Sequence, residues 1–455
     1  MSADGRGWEM TEKIANFVGG KLERQNMKAL IHTLGCKLNF AESAAIAAEL
    51  EARGIAVAEK GEVPDVVLVN SCSVTAEADK KSRQTVRALH RRYPGAAIFV
   101  TGCYAQLRSE EALALDGVVA VMGNDRKDKI ADQILAHCRG DIMPAGCAVE
   151  RTDNVRGFLP TQPCVGQGER TRWFLKVQDG CDYWCSYCTI PIARGQSRSP
   201  RVADVVDEAR RAAGQGAREI VITGVNIGDF GKGGDERFFD LCRALDKIEE
   251  IERYRISSIE PNLLTDEMID WLARESRAFM SHFHIPLQSG SDAVFRNMGR
   301  HYDTQLFADK ISKIRAQMPD AFIGVDLIVG FRGETLELYE ESREFVRSLD
   351  ISRLHVFPYS ERADTRALKI TPVVDVHERS RRAAEMIALS EDKLREFSRR
   401  FVGTTRKVLF EVKGAGFTDN YLRVNVKGDS PASNAILPVR LDALDEEKLV
   451  FNGTL

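Results

Sequence analysis

Three cysteines fall within eight residues, Cys181-Asp-Tyr-Trp-Cys185-Ser-Tyr-Cys188, flanked by Lys176-Val-Gln-Asp-Gly180 and Thr189-Ile-Pro-Ile-Ala-Arg194-Gly195. Structural zinc asks for four ligands closed around the ion, usually as two paired clips. Here one loop carries three thiols with no nearby fourth Cys or His. Three thiolates suit a cubane 4Fe–4S cluster, in which they leave one iron open to an outside ligand. Reduced chains rarely bunch cysteines in this way without a metal or redox use.

A second set of three is spread along the N-terminal part. Lys28–Leu34, Asp65–Val69 and Ala96–Val100 read as buried parallel strands rich in Val, Ile and Leu. Each is followed almost at once by a cysteine, in Gly35-Cys36, Ser71-Cys72 and Gly102-Cys103. An open parallel sheet presents all its carboxyl ends at one edge, where ligands bind. Cys36, Cys72 and Cys103 are therefore expected to converge there on a second cluster. Taken singly, each would pass for a small hydrophobe at a strand end.

The ten cysteines in 455 residues do not make a secreted disulfide scaffold. Cys138, Cys147, Cys164 and Cys242 lack ligand-like spacing and are expected to be free thiols. No apolar run approaches the ~18–20 residues that span a bilayer, and residues 1–27 lack the apolar core of a signal peptide. A cytoplasmic protein with no membrane contact is expected. A net charge of −3 gives no global attraction to nucleic acid, so RNA binding would have to come from local patches.

One patch is Lys80, Arg83, Arg87 and Arg91, a basic stripe at helical spacing. A solvated face is the ordinary meaning of such a run; an RNA-phosphate contact is the sharper alternative. Arg194 and Arg198, beside the central cysteine loop, are further candidates for phosphate contact.

Residues 140–170, with Pro144, Pro160 and Pro163 and little periodicity, read as a linker. Strand–helix alternation then runs through Trp173–Gln178, Glu219–Thr223, Tyr254–Ile259, Phe283–Gln288, Phe322–Val329 and Arg353–Phe357. This predicts a parallel (βα)6 partial barrel with its functional edge at the carboxyl ends. Thr223, Gly224, Asn226, Ser258, Gln288 and Ser289 stand at or beside those ends, and Asp326 lies on the fifth strand. They are the candidate cofactor contacts, although turn chemistry alone would explain the glycines. A long amphipathic helix, about Val376–Phe401, should bury Ile387, Leu394, Phe397 and Phe401 and carries many arginines. Beyond Gly403, Lys407–Val412, Phe417–Lys427, Ile436–Leu441 and Lys448–Phe451 alternate as strands of a small β-barrel, of a type that binds oligonucleotides. Packing alone is the bland alternative, because the barrel's own charges balance. The fold class is thus α/β, with an N-terminal open-sheet domain (28–139) after a tail (1–27), the linker, the partial barrel (171–402) and the β-barrel (403–455).

The central triad resembles that of the radical S-adenosylmethionine (SAM) enzymes, in which the open iron chelates the amino and carboxylate groups of SAM and reductive cleavage yields a 5′-deoxyadenosyl radical. The resemblance implies that Tyr187, the aromatic residue before the last cysteine, lies near the adenine. With both triads in view, Met27 to Leu455 is similar to the methylthiotransferases. Thr33-Leu-Gly-Cys-Lys-Leu-Asn39, Asn70-Ser-Cys72, Thr101-Gly-Cys-Tyr-Ala-Gln106 and His284-Ile-Pro-Leu-Gln-Ser-Gly-Ser291 carry the likeness. It implies metal ligation by Cys36, Cys72, Cys103, Cys181, Cys185 and Cys188, two 4Fe–4S clusters, SAM, and a C-terminal TRAM barrel that binds RNA. Lys37, Thr189-Ile-Pro191 and Leu354-His-Val-Phe-Pro-Tyr-Ser-Glu-Arg362 fit the branch that acts on N6-threonylcarbamoyladenosine in the tRNA anticodon stem-loop. Arg332 and Pro358 depart from residues common in the family, Pro and Thr.

An unactivated adenine carbon has no acidic proton and no leaving group, so a radical route suits it. The resemblance implies that one SAM methylates a sulfur at the N-terminal cluster and a second starts radical transfer of the methylthio group. An external electron donor is needed, and the residues do not name the sulfur source. The alternatives within the family are isopentenyladenosine in tRNA or an aspartate of a ribosomal protein. Outside it stands a non-catalytic iron–sulfur RNA-binding or electron-transfer protein.

Overall fold

The computed structural model describes residues 27–455 except 60, 142–145, 151, 153, 154, 156, 162–170, 413, 427, 429 and 430. The expected tail, Met27 apart, and much of the expected linker, including Cys164, lie outside the described residues.

β1 (Lys28–Thr33), β2 (Ala56–Val57), β3 (Val66–Ser71), β4 (Ala97–Gly102), β5 (Val118–Met122) and β6 (Gly146–Ala148) form a parallel sheet in the order β2-β1-β3-β4-β5-β6. β3, Val-Val-Leu-Val-Asn-Ser, is buried throughout, because helices cover both sheet faces. Ile46 and Leu50 of the Lys37–Ala52 helix and Ile130 and Ile134 fill one side. Val86 of the Ala76–Arg92 helix and Ala112 fill the other. β6 corrects the linker expectation: Gly146–Ala148 pairs with Ala120–Met122. Three residues on a sheet edge are too few for a periodic signal.

β7 (Trp173–Lys176), β8 (Glu219–Thr223), β9 (Arg253–Ile256), β10 (His282–Gln288), β11 (Phe322–Val329) and β12 (Arg353–Pro358) form two parallel three-stranded sheets, β7-β8-β9 and β10-β11-β12. The Ser258–His284 bridge joins them into the predicted partial barrel. Trp173, Leu175, Ile220, Ile222, Phe283, Ile285, Ile323 and Val325 point into the helical layer. The alternate positions face inward and are unusually polar, including Lys176, Glu219, Arg255, His284, Asp326 and His355. β7 and β12 do not pair, so the wall has a side opening. The Lys37–Ala52 helix packs beside it, with Ala41 against Phe174 and Val221.

The Val376–Arg399 helix buries Ala383, Met386, Leu394 and Phe397, and Phe401 beyond it, but leaves Ile387 46% exposed. Spacings of three and four from Ala383 pass through Met386, Ser390, Leu394 and Phe397, which leaves Ile387 one position off the stripe. β13 (Thr405–Val412), β14 (Ala415–Thr418), β15 (Arg423–Val426), β16 (Ile436–Asp445) and β17 (Val450–Thr454) close a barrel in the order β13-β14-β15-β17-β16. The expected Phe417–Lys427 strand breaks in two at Tyr421, whose φ is +67°. There the Thr418 hydroxyl accepts from the Leu422 amide at 2.8 Å. This barrel closes the lower end of the core. Arg253 donates to the Lys407 carbonyl at 2.8 Å, and Arg255 to those of Thr418 and Asp419 at 2.8 and 2.9 Å. No helix among the described residues is long and apolar enough to cross a membrane.

Candidate functional site

Cys36, Cys72 and Cys103 follow β1, β3 and β4 at the carboxyl edge of the N-terminal sheet. The glycines before two of them allow the strand ends to crowd together. Gly35 has φ +97°, and a Cβ there would lie 2.8 Å from the Cys72 sulfur. Gly102 has φ +94°, and a Cβ there would meet the Ser71 carbonyl at 2.3 Å. Burial, and next the charge of Cys103, pushes the Cys72 thiol up to about 12. Desolvation raises Cys36 as well, against the opposing pull of Arg194 and with Cys103 adding to the rise. Cys36 and Cys72 thus both sense Cys103 across the edge.

The central loop is held from both ends. Gly180, at φ +70°, lies so near the Gln196 carbonyl that a Cβ would approach it to 2.0 Å. The Cys181 amide donates to the Gly195 carbonyl at 3.0 Å. Each thiol has a donor aimed at it: the Tyr183 amide at Cys181 (3.5 Å), the Ile190 amide at Cys188 (3.4 Å) and the Arg300 guanidinium at Cys185 (3.1 Å). Such donors favour the thiolate, whereas burial first, and Cys185 as a neighbour, pushes Cys181 and Cys188 up to about 12. The donor set fits iron–sulfur ligation. Among the described residues no group of three His, Cys, Asp or Glu side chains closes around a single metal ion; in a cubane each thiolate serves a separate iron.

Arg300 carries no motif and was not expected here. Besides Cys185, it reaches the Tyr187 hydroxyl at 3.4 Å, Tyr302 at 2.8 Å, and Glu260. Tyr187 packs edge-on to Phe331 at 6.1 Å. A single arginine after a helix-ending glycine leaves no spacing signal to find it by.

The other candidate cofactor contacts divide. Thr223 and Asn226 are buried at the end of β8, and the Asn226 Oδ1 is an orphaned buried acceptor. The Gln178 side chain accepts from the Val225 and Asn226 amides at 2.9 and 2.8 Å, fixing that rim. Gly224 packs against Gln178, since a Cβ would sit 2.9 Å from its carbonyl. Ser258 bridges to β10, and Gln288 ends β10 at φ +72°. The Ser289 hydroxyl is fully buried, with the Ser291 amide 3.3 Å away, so it shapes a turn. Asp326 lies below the rim, where its carboxylate meets His284 at 2.7 Å. Strand parity put it on the inner face but could not give its depth.

Two of the five expected RNA contacts are otherwise engaged. Arg194 is buried, pairing with Glu42 and with Asp179 at 3.0 Å each and donating to Asn39 at 2.8 Å. Arg198 turns inward to Asp179 (3.2 Å) and to the carbonyls of Gly157 and Arg194. A basic residue beside a cysteine loop looks solvent-facing in the sequence; here the neighbouring domain supplies a buried carboxylate, Glu42, to Arg194, and Asp179 of the same domain takes Arg198. Lys127 and Lys176 complete the group around Glu42. Lys80 and Arg87 are exposed on their helix, and Arg83 is partly exposed, 3.4 Å from Glu111. The arginines of the long helix are largely neutralised: Arg382 by Glu334, Arg381 by Glu378 and Arg399 by Glu446.

The side opening of the partial barrel leads into a cavity of about 730 Å³. Lys37, His282, His284, Asp326, Arg353 and His355 are among its lining residues, and Tyr421 and Arg423 of the small barrel close its lower rim. Burial draws the Lys37 ammonium below its usual value. Burial and the neighbouring His284 hold His355 down to about 4, so it is neutral at physiological pH.

Residues 28–123 match the family described as "Uncharacterized protein family UPF0004", and residues 175–346 match the radical SAM superfamily. The chain is 36% identical to the threonylcarbamoyladenosine tRNA methylthiotransferase MtaB of Bacillus subtilis (strain 168), over 90% of this chain and 92% of the relative. It is 34% identical to MtaB of Thermotoga maritima, over 92% and 95%. The tRNA-2-methylthio-N(6)-dimethylallyladenosine synthase of Bifidobacterium longum (strain DJO10A) is 34% identical, over 86% and 82%. Among solved structures, the radical SAM methyltransferase TsrM of Kitasatospora setae shares the fold, with a TM-score of 0.55, 14% identity and 72% of each chain covered. With its thiol-bearing sheet edge, its partial barrel and these likenesses over nearly its whole length, the chain belongs to the MtaB-like radical SAM methylthiotransferases, enzymes that modify tRNA.

Proposed function

We propose that the enzyme adds a methylthio group to carbon 2 of N6-threonylcarbamoyladenosine beside the tRNA anticodon, using two 4Fe–4S clusters and two molecules of SAM. The observation that carries this reading is the pair of three-thiol sets, borne by two domains that the buried Glu42–Arg194 contact holds together. The relatives named for threonylcarbamoyladenosine support the choice of base.

Cys181, Cys185 and Cys188 would hold the cluster that binds SAM, and Cys36, Cys72 and Cys103 the auxiliary one. When bound, these groups supply the carbon-centred radical and the methylated sulfur. The chain's own residues orient and shield. Arg300 ties Cys185 to Tyr187 and Glu260, while Gln178 locks the β8 rim where Thr223 and Asn226 stand ready to hydrogen-bond SAM. Trp184, 49% exposed between two of the cysteines, offers an aromatic face to the single-stranded loop that flanks the target base. Lys80, Arg83 and Arg87 meet anticodon stem-loop phosphates. An external donor supplies the electrons, and a sulfur donor restores the auxiliary site.

The test is anaerobic reconstitution, an iron count, and incubation with SAM, reductant and tRNA carrying threonylcarbamoyladenosine. About eight irons per chain and a 2-methylthio product by mass spectrometry are expected. Iron for one cluster only would remove the auxiliary site. Two clusters with 5′-deoxyadenosine but no product would move the substrate to isopentenyladenosine or a ribosomal-protein aspartate.

A further inference from the structure

The cavity behind β12 is built for a negative charge. On the strands that wall it, the lining side chains His282, His284, Arg353 and His355 face a single carboxylate, Asp326, which His284 already engages. Lys37 enters from the opposite side, on the first turn of the helix that follows Cys36, and has no hydrogen bond or ion pair among the described residues. Arg353 is likewise unpaired among them and exposed to the opening. His282 Nδ1 is a buried ring nitrogen without a partner. Glu391 and Glu447 also line the cavity, but both are exposed at its outer rim. Unpartnered cations and an orphaned polar atom around a cavity of about 730 Å³ are what a built ligand site shows, since pockets for small groups run to about 300–1,000 Å³.

We infer that this side opening receives a carboxylate carried on the substrate base, with Lys37 and Arg353 as its counter-charges and Phe357 as the face on which the base stacks. The assignment rests on the proposed substrate, whose threonyl group ends in a free carboxylate. A backbone phosphate suits the opening less well. Phosphates of a folded stem-loop run over the protein surface, whereas Lys37 is recessed between two domains, where a substituent of an unstacked base can reach it. Arg353, His355 and Phe357 alternate along one face of β12, about 6.6 Å apart per pair of residues. Phe357 is 47% exposed at the upper end of that row. A base lying on it directs its N6 substituent down the strand, past the neutral His355, toward Arg353 and Lys37. An isopentenyl group, which has no charge, would leave both cations unmatched.

The test compares the reconstituted enzyme with its Lys37→Met and Arg353→Met variants. Each is titrated with labelled anticodon stem-loops that carry threonylcarbamoyladenosine as the free acid or as its methyl ester. The wild type should prefer the acid by about tenfold or more in affinity, and each variant should bring the two ligands to within about threefold of one another. Equal wild-type affinity for acid and ester, or variants that keep the full preference, would overturn the assignment. Lys37 adjoins Cys36, so if its variant loses iron the Arg353→Met ratio decides, because β12 carries no cysteine. Should the wild type leave the free-acid stem-loop without a methylthio group, the substrate reading falls, while the ratio of affinities still decides what the cavity holds.

Discussion

Arg194 and Glu42 meet as a buried two-pronged ion pair, Nη1 to Oε1 at 3.0 Å and Nη2 to Oε2 at 3.2 Å. Glu42 lies in the helix that begins after Cys36, and Arg194 ends the short helix that follows Cys188. One contact therefore ties the segment behind each cysteine set to the other. A flat guanidinium against a carboxylate fixes orientation as well as distance. The two sites are held in register by a charge pair that spans the two domains, beside the partners each member has in its own, Lys127 for Glu42 and Asp179 for Arg194.

Removing one member of such a pair leaves a buried charge uncompensated. Arg194→Ala should cost about 3 kcal/mol, at the lower end of the range for broken buried pairs, because Lys127 and Lys176 still attend Glu42. Urea denaturation of the metal-free protein measures this; a loss below about 1 kcal/mol, the scale of an exposed pair, would place the contact among weak surface pairs.

The same group makes stability fall in acid. Burial pushes the Glu42 carboxyl up, but Arg194, Lys127 and Lys176 hold it below the usual carboxylate range, and Asp179 is held well below against the same push by Lys176, Arg194 and Arg198. In the unfolded chain both carboxyls protonate near pH 4. The unfolded state thus binds more protons below about pH 5, and stability present in full above that value is lost as pH falls. Wild-type Tm should drop steeply between pH 5 and pH 3, each an approximate bound set by these values. Glu42→Gln should start lower at neutral pH and drop less. Parallel Tm curves for the two proteins would contradict this.

Gly180→Ala should unseat the central cysteine loop. The residue sits at φ +70° with the Gln196 carbonyl where a Cβ would go. The left-handed conformation alone costs a non-glycine residue about 1–3 kcal/mol. The expected result is loss of iron binding at this loop and a lower Tm; normal iron content in the variant would show that the loop tolerates a shift.

Separate chemical roles predict separate losses. Cys36→Ala should abolish methylthiolation while 5′-deoxyadenosine still forms from SAM, and Cys185→Ala should end SAM cleavage altogether. Full product from the first variant would remove the auxiliary role, and persistent cleavage in the second would remove the central one.

The exposed stripe and the buried arginines should differ in their salt response. Arg87→Ala should weaken tRNA binding and reduce the slope of log affinity against log salt by about 0.7–0.9, one phosphate contact. Arg198→Ala, whose guanidinium is spent on Asp179 and backbone carbonyls, should leave that slope unchanged. Filter binding at several salt concentrations separates the two.

Much of this architecture was legible because its signals are local. Cys181, Cys185 and Cys188 are constrained by covalent spacing on one loop, and the alternation of buried strands such as Glu219–Thr223 and Phe322–Val329 matches the observed strands residue for residue. The convergence of Cys36, Cys72 and Cys103 followed from parallel-sheet geometry, which places successive strand ends at one edge. The three-residue strand Gly146–Ala148, by contrast, lies where turn residues dominate, and its pairing with β5 depends on an edge supplied from elsewhere in the chain.

What the sequence by itself determined is the inventory: two sets of three thiols, a partial barrel, a terminal β-barrel and the order in which they come. What the tertiary structure alone decided is which charges meet. Arg194 and Arg198 read as RNA-facing, but Arg194 became the buried bridge between domains and Arg198 turned inward to Asp179 of its own domain; Lys37 turned into the side opening, and Arg300 came from far along the chain to Cys185. Strand parity and cysteine spacing act over a few residues, so a linear sequence displays them. The partner of a buried charge is chosen by packing between segments more than a hundred residues apart, as with Glu42 and Arg194, and it exists only once the chain has folded.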